Sequence, residues 1–262
     1  MTPFFPHAKM KNKSKRRGTA AAKGGWAQMT KELENILSHD WGDVNSPWIG
    51  ADLGIWSILL EGRKSVRYPA GSIIFSQEDP FSLIYIVAQG RVCISVFHSD
   101  GEQKHLYIAC PGAMFGENAC ILSHPHATTA TAIVTTDLYA IPSKECQRLF
   151  HSQQQIADSM LQYVARKNQM LIAQAAMLSF DRAEQRIAKT LLQLCNTYGV
   201  ETAEGMRINI RFTCTDISSI VNTSRVTANN VIMSFTRLGI LSRDNGFFTV
   251  RNEGALQALA LQ

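Results

Sequence analysis

The sequence predicts an α+β chain in three parts: a small all-β sandwich or barrel, a long helix, and a C-terminal winged helix-turn-helix. Three observations carry this. Between Arg63 and Pro142, short runs rich in Ile, Val, Phe and Tyr are separated by turn residues at roughly ten-residue spacing. After Pro142 the hydrophobic period becomes helical, and one pattern continues to about Leu178 with no Gly or Pro to stop it. Between Thr213 and Val250, two capped helical patterns joined by a short turn are followed by a hairpin.

The β region reads as six strands: Ser72–Ser76, Leu83–Val87, Arg91–Phe97, Lys104–Ala109, Thr128–Val134 and Leu138–Ile141. Pro69-Ala70-Gly71, Gln89-Gly90, Asp100-Gly101 and Pro111-Gly112 punctuate them. Asp100-Gly101 marks a hairpin, because a tight primed turn needs positive φ.

Ser143 is placed to cap a short helix ending at Phe150, and Ser152 with Gln155 to open the long one. On the long helix, Ile156, Met160, Tyr163, Lys167, Met170, Gln174 and Met177 recur at spacings of 4 and 3. A second stripe of Ala157, Leu161, Val164, Asn168, Leu171, Ala175 and Leu178 runs beside it. Two stripes suit a helix packed on two things at once. Polar Lys167, Asn168 and Gln174 within them favour a seam between two chains.

Asp181 and Glu184 open a helix over Ala183–Tyr198, and Gly199 follows as its stop signal. A loop to Gly205 leads to a strand, Arg207–Ile210. Thr213 and Asp216 cap the next helix, with Ile217, Ile220 and Val221 inward. Asn222-Thr223 makes the turn, since Asn tolerates the left-handed conformation. Ser224 caps a second helix with Val231, Ile232, Phe235 and Leu238 inward. A hairpin runs from Leu241–Ser242 to Phe248–Val250 around Asp244-Asn245-Gly246, and Glu253–Leu261 is a small helix.

Charge locates the chemistry. The net +5 is concentrated in residues 1–31, which hold eight Lys/Arg and no acid, leaving 18 basic against 21 acidic residues in the remainder, a net −3. Residues 1–28 read as a disordered basic tail, and Met29 is a candidate alternative start. Lys23 and the glycines interrupt Gly18–Trp26, so no signal peptide forms, and a cytoplasmic location is expected. The longest apolar stretches, such as Leu53 to Leu60, fall far short of the roughly 20 residues of a membrane span. Cys93, Cys110, Cys120, Cys146, Cys195 and Cys214 are scattered without metal-ligand spacing and read as reduced thiols. Neither a metal nor another cofactor is expected.

Across residues 207–251 the body turns basic, with six Arg against Asp216 and Asp244. The start of the second helix presents Arg225, Val226, Thr227, Asn229 and Asn230 without an acid among them. With Thr213 and Ser224 at the two helix starts, this is a candidate surface for double-stranded DNA.

From about residue 53 to 251 the chain resembles the cyclic-AMP-receptor/FNR (Crp/Fnr) family of bacterial transcription regulators. The resemblance rests on Tyr68-Pro69-Ala70-Gly71 with Ile74-Phe75, Tyr85-Ile86-Val87 with Gly90-Arg91-Val92, and Asp100-Gly101-Glu102. It continues through Pro111–Glu117, Thr190-Leu191-Leu192 and Asn222–Thr227. It implies a cyclic-nucleotide-binding-like β-roll (a double-stranded β-helix) as sensor, a dimerisation helix, and a winged helix-turn-helix that moves when effector binds. The domains are then a tail over 1–28, a sensor over 29–150, a dimerisation helix over 151–180 and a DNA-binding domain over 181–262. A homodimer would bind a palindromic promoter site and meet RNA polymerase, as activator or repressor according to the position of that site.

The effector pocket implied by the resemblance involves Tyr107, Gly116, Glu117, His126, Thr128 and Leu171. Cyclic-nucleotide binders follow their Phe-Gly-Glu turn with an Arg for the cyclic phosphate. Here the matching stretch reads His124-Pro125-His126-Ala127-Thr128, and there is no Arg from 92 to 147. A buried phosphate without a fixed cation is costly. The pocket is therefore expected without cyclic AMP, and its small-molecule effector is unassigned.

The alternative class is a cupin-like, metal-dependent enzyme using His124 and His126. No acid lies between Glu117 and Asp137 to complete its ligand set, and no catalytic residue is assigned.

Overall fold

The computed structural model describes residues 46–261. The basic 1–28 segment, Met29 and the first part of 29–150 lie outside the described residues.

Two sheets form the β-roll. β1 (Trp48–Ile49), β6 (Gln103–Ala109), β5 (Val92–Phe97), β8 (Thr129–Ala132) and β3 (Ile73–Phe75) make one, in that order. β2 (Val66–Tyr68), β9 (Thr136–Pro142), β4 (Leu83–Gln89) and β7 (Met114–Phe115) make the other. Between them lies a core that includes Trp56, Ile84, Ile86, Ile94, Phe115, Leu138 and Ile141. All six strands read from the sequence are present. The strands it lacks, β1, β2 and β7, are two or three residues long, too short for an alternation to declare itself. At Asp100-Gly101 the expected hairpin joins β5 to β6, with the His98 amide donating to the Glu102 carbonyl at 2.9 Å.

Short helices flank the roll: α1 (Ser57–Leu60), after a 3₁₀ turn over Leu53–Trp56, and α2 (Glu117–Leu122), which the sequence reading lacks. α3 (Ser143–Ser152) and α4 (Gln154–Phe180) follow. Neither expected serine cap forms. Pro142 and Gln153 take the N-cap positions without side-chain bonds. Tertiary pairing sets these ends: Pro142 is still paired with Leu83, and the Ser143 amide donates to the Ser82 carbonyl at 2.9 Å.

The first stripe of α4 is not a chain–chain seam. Ile156, Met160, Tyr163, Lys167 and Met170 are buried, packing α4 on the roll. Gln174 Nε2 donates to the Leu106 carbonyl at 2.7 Å, so it too faces β6. The solvent stripe is rotated from the second one read in sequence. It comprises Leu161, Ala165, Asn168, Ile172 and Ala175, at spacings of 4, 3, 4 and 3. Leu161 is 70% and Ile172 60% exposed.

α5 spans Ala183–Tyr198 as expected. Asp181 closes α4 rather than opening α5, and pairs with Lys189 at 2.6 Å. Gly199 is no left-handed stop. It is extended (φ −69°, ψ 138°) and starts β10 (Gly199–Thr202), where a Cβ would lie 2.2 Å from the Cys195 carbonyl oxygen. The expected loop is therefore half of a hairpin with β11 (Gly205–Ile208), whose pairing with β13 (Phe247–Val250) moves that strand two residues ahead of its sequence assignment. β12 (Leu241–Asp244) completes the sheet, with Asn245 and Gly246 at positive φ in the wing turn. Between β11 and β12 come α6 (Cys214–Val221) and α7 (Arg225–Arg237); α8 (Glu253–Leu261) packs on α5.

The second core lies here, built on Ile187, Leu191, Phe212, Ile217, Phe235 and Phe248. It also takes in Trp48, Cys93 and Ile108 from β1, β5 and β6, and α6 packs on β6.

Candidate functional site

Tyr107, Gly116, Glu117, His126, Thr128 and Leu171 all line one cavity of about 220 Å³ between the roll and α4. β6 supplies Tyr107. Gly116 turns the chain from β7 into α2 at φ 84°, where a Cβ would press the Leu83 carbonyl oxygen at 3.3 Å and His126 Cε1 at 3.4 Å. That turn points the first residue of α2, Glu117, inward. His126 is held from both sides: its amide donates to the Asp79 carbonyl at 2.9 Å, and its carbonyl accepts from Glu78 at 2.7 Å. Its ring stacks on Phe75 with centroids 3.7 Å apart.

Lys167 is the residue that sequence reasoning misplaced. Its Nζ lies 2.6 Å from Glu117 Oε1, and the two side chains are 7% and 2% exposed. The ammonium also sits 4.7 Å from the Tyr107 ring centroid and 5.7 Å from that of Tyr163. A pair this buried is kept only by its geometry, and removing one partner costs about 3–5 kcal/mol. The signal is a cation inside a mostly apolar stripe, in a chain with no Arg from 92 to 147. By spacing alone the same lysine fits a chain–chain seam equally well.

Glu117 and Lys167 are the charged residues lining the cavity, among the described residues. Burial, then the Glu117 charge, raises the Tyr107 hydroxyl well above its ordinary range. Burial likewise raises Tyr163 and the Cys120 thiol, and lowers the His126 imidazole against the pull of Asp79 and Glu117. Around neutral pH these four groups are uncharged, so the cavity carries one balanced ion pair.

The second candidate surface is α7. Thr213 Oγ1 accepts from the Asp216 amide at 3.1 Å while Asp216 Oδ2 accepts from the Thr213 amide at 2.7 Å, a reciprocal cap on α6. Asn222 ends α6 in the left-handed conformation (φ 52°). Arg186 braces this turn, donating Nε to the Val221 carbonyl at 2.7 Å and Nη2 to the Asn222 carbonyl at 3.1 Å. Ser224 Oγ then caps α7 by accepting from the Thr227 amide at 3.0 Å.

Ala228, Ile232 and Phe235 anchor α7 in the core. Leu238, expected inward, is 65% exposed, because α7 ends at Arg237 and the chain turns away. Arg225, Val226, Asn229 and Asn230 are exposed at positions i, i+1, i+4 and i+5, on one side of the first two turns. Thr213, Ser224 and Thr227 are engaged in the caps, with Thr227 partly buried. Arg243 on β12, not picked out from sequence, approaches the same end of the domain, its Nη1 3.8 Å from Cys214 Sγ.

His124 is exposed and His126 is buried on Phe75. Among the described residues, no three His, Cys, Asp or Glu side chains gather to hold one ion, and no helix is long and apolar enough to cross a membrane. All six cysteines are free thiols.

Comparison with known proteins agrees with this two-part layout. Residues 65–153 match the cyclic nucleotide-binding domain and residues 185–259 the Crp-like helix-turn-helix domain. The CRP-like cAMP-activated global transcriptional regulator of Mycobacterium tuberculosis is 26% identical over 190 residues, covering 72% of this chain and 85% of that protein. The cyclic AMP receptor protein of Thermus thermophilus is 26% identical over 193 residues, covering 74% and 86%. Among solved structures, the c-di-GMP-responsive global regulator CLP of Xanthomonas campestris superposes with a TM-score of 0.69 at 21% identity, over 77% of this chain and all (100%) of that one.

Proposed function

Because the chain belongs to the Crp/Fnr family of transcription regulators, we propose that it is a cytoplasmic, non-enzymatic homodimer that binds a palindromic promoter site and contacts RNA polymerase there. A small molecule in the cavity between roll and α4 controls that binding. The working division is a sensor over 29–150, a dimerisation helix over 151–180 and a DNA-binding domain over 181–262, with 1–28 as a basic tail. Arg225, Val226, Asn229 and Asn230 read the major groove, while Thr213, Ser224 and Thr227 lie at the backbone side of the same helix starts. The heptad-spaced stripe Leu161, Ala165, Asn168, Ile172 and Ala175 is the dimer seam.

The observation that carries this reading is the union of a partly open cavity with an ion pair at its centre and an exposed candidate recognition helix in one chain. Cyclic AMP is a poor candidate for the effector. No Arg lies from 92 to 147 to meet a cyclic phosphate, and the lysine that enters the cavity is already paired with Glu117. At about 220 Å³ the cavity is also below the range usual for larger organic ligands, roughly 300–1,000 Å³. The test is selection from random DNA by the full chain, followed by anisotropy titration of the enriched site with and without cyclic AMP. A palindromic motif whose affinity ignores cyclic AMP is the expected result. Absence of any enriched motif would remove the DNA-binding reading.

A further inference from the structure

A cavity that contains its own neutralised ion pair selects ligands by charge. Glu117 and Lys167 compensate each other at 2.6 Å, and the remaining titratable groups facing them, Tyr107, Tyr163, His126 and Cys120, are uncharged near neutral pH. An anion or a cation entering this space brings a charge with no buried counter-ion, and desolvating it is unfavourable. Yet the pair is not saturated. An ammonium has three N–H donors, and Nζ of Lys167 has one acceptor, Glu117 Oε1, among the described residues. Glu117 Oε2 has no hydrogen-bond partner among the described residues, although a carboxylate oxygen has two lone pairs. The two ends of the pair thus offer a free donor and a free acceptor side by side. Tyr107, Leu106, Val164 and Leu171 supply flat or apolar walls around them.

We propose that the effector is a small, neutral, planar molecule carrying a hydrogen-bond donor beside an acceptor, as in the cis-amide edge of a lactam. Its N–H meets the carboxylate of Glu117 and its C=O the ammonium of Lys167. This deepens the reading of the cavity as the effector site and rests on it. Both bonds are charge-assisted, and no net charge is buried. The cavity volume suits a single ring better than a nucleotide.

The test uses the full-length protein and three single-ring probes: 2-pyridone as the neutral lactam, benzoate as the anion and benzylammonium as the cation. Calorimetry should show 2-pyridone binding and the two ions at least about tenfold weaker, the worth of one hydrogen bond to a charged group. The decisive step is inversion. Glu117→Gln keeps the side chain's size and leaves Lys167 uncompensated, so benzoate should bind at least about tenfold better than to wild type. Lys167→Met leaves Glu117 uncompensated, and benzylammonium should gain instead. If Lys167→Met does not fold, Glu117→Gln decides alone.

Wild type that binds benzoate as tightly as 2-pyridone, fails to bind 2-pyridone at millimolar concentration, or gains no benzoate affinity in Glu117→Gln would overturn the proposal. DNA affinity is read separately. Lactam selectivity with unchanged DNA binding would keep the chemistry and sink the effector reading. Control of DNA binding by an ionic ligand would do the reverse.

Discussion

The Tyr163 hydroxyl on α4 donates to the Met114 carbonyl at 3.0 Å and accepts from the Met114 amide at 2.9 Å. One buried phenol thereby satisfies both backbone groups of a residue in the two-residue strand β7, two positions before Gly116. Tyr163→Phe keeps the ring packed on Trp56 but leaves that backbone without its partners. A loss of about 1–3 kcal/mol in unfolding free energy is expected, measured by urea denaturation. A change within a few tenths of a kcal/mol would mean that another group or water takes over.

On DNA, Arg225→Ala should cost roughly 1–3 kcal/mol and relax preference at one base pair, if Arg225 reads guanine. Should it hold a phosphate, all sequences would weaken alike and the salt slope would shrink. Val226 is 70% exposed, and its methyls suit a thymine methyl. Val226→Glu should move preference toward C·G at the neighbouring pair. Identical enriched motifs from wild type and both variants would mean that α7 is not the reader.

For assembly, Leu161→Glu and Ile172→Glu place charge on the exposed heptad stripe without touching the roll core. Sedimentation should show monomers with nearly unchanged thermal stability of the isolated chain, and DNA affinity should fall with dimer content. Leu171, also on this side of α4, lines the cavity against the roll and would confound the result. Two variants that stay dimeric would take α4 out of the interface.

Acid sensitivity should come in part from the buried His126 and the half-buried His105. Burial holds His126 and His105 below the ordinary imidazole value, so around and below about pH 6.5 the unfolded chain binds more protons than the folded one. Stability from these sites is complete above that pH and falls as pH drops through it toward the lower folded-state values. His126→Gln should flatten part of this slope in urea midpoints measured across the range. A slope identical to wild type would assign the acid sensitivity elsewhere.

Much of the fold was legible because its signals are local. Asn222, Asn245-Gly246 and Ser224 announce turns and caps by backbone chemistry alone, and the structure places each as read. The errors have a common physical source: they depend on what a segment packs against. Gly199 signals a helix stop equally well whether it is left-handed or, as here, extended beneath Cys195 and Met206. Lys167 has the same spacing in a seam as in a cavity wall, and the choice between them depends on Glu117, fifty residues away in sequence. The six cavity residues came from a resemblance of motifs. The ion pair at their centre could not, because neither partner's neighbours in sequence point to the other.

The two cores meet at β6, and this limits how the protein can be rebuilt. Tyr107 faces the cavity between the roll and α4, while Ile108 belongs to the core of the DNA-binding domain, so adjacent residues of one strand serve as a party wall between two rooms. Trp48 and Cys93 extend that wall. Grafting this sensor onto another DNA-binding domain by cutting near residue 181 would strip Trp48, Cys93 and Ile108 of their cover and leave an apolar patch in water. A working chimera would have to carry the outer surface of the roll along with the helix-turn-helix, or recut both faces together. In this protein the unit of exchange is therefore the joint, not the module.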